Sequence, residues 1–157
     1  MSFMFNGCSN LIELDVSNFN TENVNNMSAM FQNCSKLIKL NVKNFKTNKV
    51  KDMSGMFVKC SNLIDLDVSN FNTENVTDMK AMFQLCYKLN KLNLKNFKTN
   101  KVIDMGYMFN KCINLIDLDV SNFNTENVTN MEGIFSDCIF TDKIKKLKNF
   151  EKFKDIY

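Results

Sequence analysis

Residues 63–86 read LIDLDVSNFNTENVTDMKAMFQLC, and residues 37–60, LIKLNVKNFKTNKVKDMSGMFVKC, follow the same pattern of Leu, Val, Asn-Phe, Thr, Met and Cys. Working outward, the pattern extends over most of the chain. Cys recurs at Cys8, Cys34, Cys60, Cys86, Cys112 and Cys138, always 26 residues apart. Phe keeps that interval from Phe5 to Phe135, and Met keeps it from Met1 to Met131. A fixed period of this size is the signature of a repeat array, in which one supersecondary unit cannot bury its apolar face alone and stacks on its neighbours.

The unit is Leu-x-x-Leu-x-(Val/Leu)-x-Asn-Phe-x-Thr-x-x-Val-x-x-Met-x-x-Met-Phe-x-x-Cys, with its first half beginning at Leu11, Leu37, Leu63, Leu89 and Leu115. From Leu11 to Val16 the apolar residues alternate with Glu13 and Asp15, as in a half-buried strand. This predicts five stacked parallel strands over residues 12–17, 38–43, 64–69, 90–95 and 116–121. Asn18 and Phe19 then turn the chain, and Phe19, Phe45, Phe71, Phe97 and Phe123 form an internal spine. The spacing Val24, Met27, Met30, Phe31, Cys34 fits one face of a short helix or helical turn, or a short second strand before such a turn. The repeated Met and Phe read as core filler between stacked coils.

These residues carry a resemblance. The block, present over residues 1–138, resembles the repeat of BspA-like leucine-rich-repeat surface proteins, known from bacterial surface proteins and mycoplasmal lipoproteins. The expected fold class is α/β: a leucine-rich-repeat-like right-handed solenoid with a parallel β-sheet on one face and short helices or helical turns on the other. The resemblance implies an extracellular or surface-exposed interaction protein, at the cell surface or secreted. Such a fold does not dictate what is bound.

Composition supports one continuous core, since 45% of the 157 residues are apolar and 24% are charged enough to solvate a surface. No run of about 18 apolar residues is present, so no membrane span is expected, and no basic start leads into an apolar secretory signal. That lack leaves a cytoplasmic location or a fragment as the alternative to surface display. Met1 already occupies the slot of Met27. The N-terminal end is therefore expected to be covered by further repeats or a partner, or the chain to be a fragment. Residues 139–157 break the period and read as a C-terminal cap, either an amphipathic helix (Ile144, Leu147, Phe150, Phe153, Ile156) or a decayed strand copying Leu94 to Phe97.

A second period of 52 residues overlies the first. Acidic residues Glu13, Asp15, Asp65, Asp67, Asp117 and Asp119 mark alternate units, while Lys39, Lys43, Lys91 and Lys95 mark the units between. With parallel strands about 4.8 Å apart, each acidic row is expected to be flanked by a basic one, which fixes the register. Beyond the turn, Glu22, Glu74 and Glu126 are expected to alternate with Lys49 and Lys101 in the next position along. These ten strand-face residues are the candidate ligand-binding surface. Residues 1–138 hold 14 Lys and 14 acidic residues, so the net charge of +3 resides in the tail and no basic stripe for nucleic acid exists.

The six cysteines show neither paired metal spacing nor a disulfide framework, and they read as buried free thiols behaving as small hydrophobes. No His exists to serve as a base for a cysteine nucleophile, and no Gly-rich loop could cradle phosphate. No catalytic, cofactor-binding or metal residue is assigned, and no cofactor is expected. The expected function is a non-enzymatic protein-interaction or adhesion module for a protein or glycan ligand. The alternative is a structural spacer or truncated repeat fragment without its own ligand.

Overall fold

The computed structural model describes residues 1–116 and 118–139. Counted from residues 1, 27, 53, 79, 105 and 131, successive units stack in sequence order and pair with the next unit in parallel. Strands β1 (Glu13–Asp15) and β2 (Lys39–Asn41) pair with Glu13 opposite Lys39 and Leu14 opposite Leu40. Strands β3 (Asp65–Leu66) and β4 (Lys91–Leu92) pair with Asp65 opposite Lys91. A second line of parallel bridges joins Asn26, Asp52, Asp78, Asp104 and Asn130. The strands are shorter than the alternation predicts. A side chain at the end of each, Asp15 in β1, bonds the backbone two residues on and turns the chain away. The fifth expected strand includes Asp117 and the expected cap spans residues 139–157; Asp117 and all of the cap beyond residue 139 lie outside the described residues.

None of the described residues is helical. Where a short helix or helical turn, or a short second strand before such a turn, was expected, the chain makes the bridge at Asn26 and then consecutive four-residue turns over the Met-x-x-Met-Phe-x-x-Cys segment. Met30 N–H bonds Met27 C=O at 3.3 Å, Gln32 bonds Ala29 at 3.2 Å, and Cys34 bonds Phe31 at 3.2 Å. The intervening N–H groups point along the stack. Ala29 donates to Ser54 C=O at 2.9 Å, Phe31 to Met56 at 2.9 Å, and Asn33 to Val58 at 2.8 Å. A helix would turn every one of these donors back into its own unit. Turns of three residues reproduce the apolar spacing of a helical face, which is why the pattern does not separate the two.

This arrangement requires a left-handed residue at the third position of two turns per unit, the signature of a type II turn. One such column is Phe3, Ala29, Gly55, Ala81, Tyr107 and Gly133, and the other is Gly7, Asn33, Lys59, Leu85, Lys111 and Asp137, all with φ between 51° and 79°. Only some are Gly or Asn. The others accept a backbone cost of about 1–2 kcal/mol because the inter-unit hydrogen bonds leave no alternative.

Inside the stack, like meets like. Phe5, Phe31, Phe57, Phe83, Phe109 and Phe135 form one continuous ring column, with centroids 5.5–5.7 Å apart and planes within 3–9°. Each such contact contributes about 0.5–1.5 kcal/mol beyond simple burial. Phe45 and Phe71 stack at 6.4 Å in the second spine, and Leu37, Leu63, Leu89, Met53, Met79 and Met105 are fully buried beside them.

A polar column runs through this core. Thr21, Thr47, Thr73, Thr99 and Thr125 are buried, and each of the first four hydroxyls serves both backbone groups of a residue in the next unit. Thr73 Oγ1 donates to Lys98 C=O at 2.9 Å and accepts from Lys98 N–H at 2.7 Å. Thr47 does the same with Asn72, and Thr99 with Asn124. Replacing Thr73 with the nearly isosteric Val removes both bonds and strands a buried donor and acceptor. Thr73→Val is expected to cost about 2–4 kcal/mol in urea unfolding, whereas Thr77→Val, at a more exposed hydroxyl, should cost below about 1 kcal/mol.

Candidate interaction surface

Strands β1 to β4 put one row of head groups into solvent: Glu13, Lys39, Asp65 and Lys91. Lys39 Nζ lies 3.0 Å from Glu13 Oε1, and the two side chains remain 74% and 62% exposed. A pair so exposed contributes only about 0.2–1 kcal/mol, so it orders the surface more than it stabilises the fold.

The second expected row divides differently. Register places Asp15 opposite Asn41, so the row is Asp15, Asn41, Asp67, Asn93 and Asp119. Lys43 and Lys95, expected to alternate with these acids, stand two residues further along in the slot of Ser17, Ser69 and Ser121. Every side chain of the row closes a turn. Oδ1 of Asp15, Asn41, Asp67, Asn93 and Asp119 accepts the N–H two residues on, at 2.9, 3.3, 3.0, 3.2 and 2.9 Å respectively. These are Asx turns. The Ser17 N–H holds the Asp15 carboxyl below its ordinary range, and the hydroxyl and N–H of Ser69 and of Ser121 do the same for Asp67 and Asp119. Their first task is therefore structural. Of the ten expected site residues, Glu13, Lys39, Asp65 and Lys91 share one row, Asp117 lies outside the described residues, and the other five do not join it.

Between the two rows run open furrows of about 320 Å³, one lined by Glu13, Leu14, Asp15, Lys39, Leu40 and Asn41 and another by Asp65, Leu66, Lys91 and Asn93 among others. An open groove of about 550 Å³ at the following corner, lined by Asn70, Asn72, Asn96, Asn122, Lys95 and Lys98 among others, was not anticipated. Its asparagines are largely engaged. Asn70 Nδ2 donates to Phe45 C=O at 3.0 Å, Asn96 to Ser69 at 2.7 Å, and Asn122 to Phe97 at 2.7 Å. The repeated Asn-Phe pair in the sequence was the available signal.

In the expected alternation of Glu22, Glu74 and Glu126 with Lys49 and Lys101, two of the acids and both lysines find other partners. Glu22 faces Lys46 at 3.8 Å and Glu74 faces Lys98 at 3.7 Å. Lys49 and Lys101 donate instead to Oδ1 of Asn23 and Asn75, at 2.7 and 2.8 Å.

A column of acids stacks elsewhere on the coil. Asp52, Asp78 and Asp104 are consecutive rungs, closed at each end by an amide. Asn26 Nδ2 donates to Asp52 at 3.0 Å, and Asn130 Nδ2 donates to both Asp104 oxygens at 3.0 and 3.1 Å. Asp78 has a carboxylate on either side. Burial first, and then the Asp52 and Asp104 charges, push its carboxyl above the ordinary value, against the opposing Lys80 N–H and ammonium.

The cysteines are free. Cys34, Cys60, Cys86 and Cys112 are buried, Cys138 is partly so, and Cys8 is exposed, contrary to the uniform burial expected. From Cys34 onward each Sγ lies 2.9–3.2 Å from the Phe carbonyl of the preceding unit. Burial raises the Cys34 and Cys138 thiols to about 11, and those of Cys60, Cys86 and Cys112 further.

Among the described residues, no helix is long and apolar enough to cross a membrane. A family model described as "Mycoplasma protein of unknown function, DUF285" matches residues 1–66 and again residues 52–156. No curated protein and no solved structure matches the chain.

Two outcomes follow from these columns. Because the Asp78 carboxyl is raised in the fold, its ionised form opposes folding at neutral pH, and that opposition fades as pH falls through the carboxylate range. Asp78→Asn, which repeats the Asn26 and Asn130 pattern, should raise the urea midpoint near pH 7, by only a few tenths of a kcal/mol at a partly exposed position, and the gain should fade as pH falls through the carboxylate range. In native protein at about pH 8 a thiol reagent should label Cys8 quickly and the four buried thiols slowly, whereas in denaturant all six should react without prior reduction.

Proposed function

The chain belongs to the family described as Mycoplasma protein of unknown function, DUF285, and within it we propose that this protein is a non-enzymatic interaction or adhesion module. The finer reading is a right-handed, leucine-rich-repeat-like solenoid of the BspA-like surface type, displayed outside the cell. The observation that carries the functional reading is the row Glu13, Lys39, Asp65 and Lys91, whose head groups stand in solvent on short, fixed strands. Other polar rows are consumed by turns and inter-unit bonds.

A row of charges without an aromatic anchor gives weak contacts, and Lys39 must leave Glu13 before it meets a ligand. Useful strength then comes from many copies. The self-saturation of the remaining polar rows favours the second reading, a spacer whose units set length.

The discriminating measurement is solid-phase binding of the full chain to immobilised matrix proteins and glycans at about 0.05 and 0.5 M salt. The interaction reading expects weak binding that falls at high salt and drops about tenfold in the Lys39→Gln, Lys91→Gln double variant, with an unchanged circular dichroism spectrum. Binding that survives the double change and disappears when residues 139–157 are removed would transfer the site to the tail. No binding to any surface would favour the spacer.

A further inference from the structure

Beside the charged row runs an aliphatic one. Ile12, Ile38, Ile64 and Ile116 occupy the slot immediately before the strand-face charges and are 55%, 41%, 39% and 62% exposed. Their spacing is fixed by backbone pairing, since Ile38 N–H bonds Ile12 C=O at 2.8 Å and Asn90 N–H bonds Ile64 C=O at 3.1 Å. Isolated exposed isoleucines are ordinary, but a column of them makes an apolar strip over units one to three that resumes at Ile116 beyond Asn90. The β-branched side chain suits extended backbone, which accounts for Ile at one such slot without any partner. It does not account for the company the strip keeps.

That company is the alternating row Glu13, Lys39, Asp65, Lys91, which is complementary to itself when reversed. We infer that two copies of this chain pair through the isoleucine strip, with their stacks antiparallel about a two-fold axis. The axis lies in the interface, across the stacks, between the second and third units. Ile38 of each copy then meets Ile64 of the other at the centre. Lys39 faces the second copy's Asp65, and Glu13 faces the second copy's Lys91. A shift by one unit sets acid against acid and lysine against lysine along the whole row, so the charges select the register that centres the isoleucines. Desolvated aliphatic contact at the centre with ionic pairs at its margin is the anatomy of a specific interface.

The inference goes beyond the ligand reading and uses a readout independent of it, because the protein alone is measured and a failed ligand screen leaves the outcome untouched. The test is sedimentation of the full chain at about 1–100 µM in low and high salt. The expected result is a monomer–dimer equilibrium whose dissociation constant rises with salt and rises about a hundredfold in Ile38→Lys. Lys39→Glu and Asp65→Lys should each be monomeric alone, since each places like charges opposite one another twice, and should associate when mixed, since the mixed pair restores both contacts. Circular dichroism of each variant confirms that the fold is retained. A chain that stays monomeric at about 100 µM, an Ile38→Lys variant that dimerises as the parent does, or a mixture of the charge variants that fails to associate overturns the proposal.

Discussion

Everything in this protein hangs on the hydrogen bonds that run along the stack. In the Met-Phe segment every second N–H leaves its own unit for a carbonyl in the next, Phe31 to Met56 and Phe57 to Met82 among them at 2.9 Å. That demand forces the left-handed turns, rules out a helix over the same residues and sets a constant rise per unit. Once the rise is constant, each slot of the sequence becomes a column in space. A side chain is then judged by how it suits a copy of itself one unit above and below.

Different chemistries meet that condition in different ways. Phenyl rings meet it by parallel stacking, at the separation where offset rings attract. Threonine meets it because one hydroxyl can donate to and accept from the same residue of the next unit. Carboxylates do not meet it, since like charges repel, and the acid column is accordingly short and ends in Asn26 and Asn130, whose amides supply the missing donors. The buried thiols satisfy it as small apolar groups, each with a weak contact to a carbonyl.

How much was legible follows from this. The 26-residue period translated directly into the parallel pairing of residue with residue, and the Phe spine at Phe45, Phe71 and Phe97 is where the spacing placed it. The turn segment was left open between helix, helical turn and strand because three-residue turns and a helical face share the same apolar spacing, and only the destination of the N–H groups separates them. Lys43 and Lys95 were placed in the acid row by nearness along the chain rather than by register, which is a property of paired strands. The Asx turns were written in the sequence as Asp-Val-Ser, Asn-Val-Lys and Asn-Thr-Glu at fixed slots, and an acid followed two residues later by Ser is a turn before it is a site. The threonine column was visible as an unvaried slot, though its buried role depends on a partner 25 residues away.

The 52-residue alternation has a consequence for how such a chain can change length. Where an even-numbered unit follows an odd one, lysines reach back to its side-chain oxygens, Lys36 to Asn10, Lys49 to Asn23 and Lys101 to Asn75. Where an odd-numbered unit follows an even one, asparagine amides reach back to backbone carbonyls, Asn62 to Ser35, Asn75 to Asn48 and Asn127 to Asn100. The stack thus has two kinds of joint. Deleting one unit sets lysine over lysine or asparagine over asparagine and replaces a joint of each kind with a mismatched one, duplicating one unit adds such a mismatch, and deleting or duplicating two leaves every joint matched. Units 52 residues apart share most of their sequence, so a change of length that keeps every joint matched comes in steps of two units, and the ruler this chain carries is graduated in pairs.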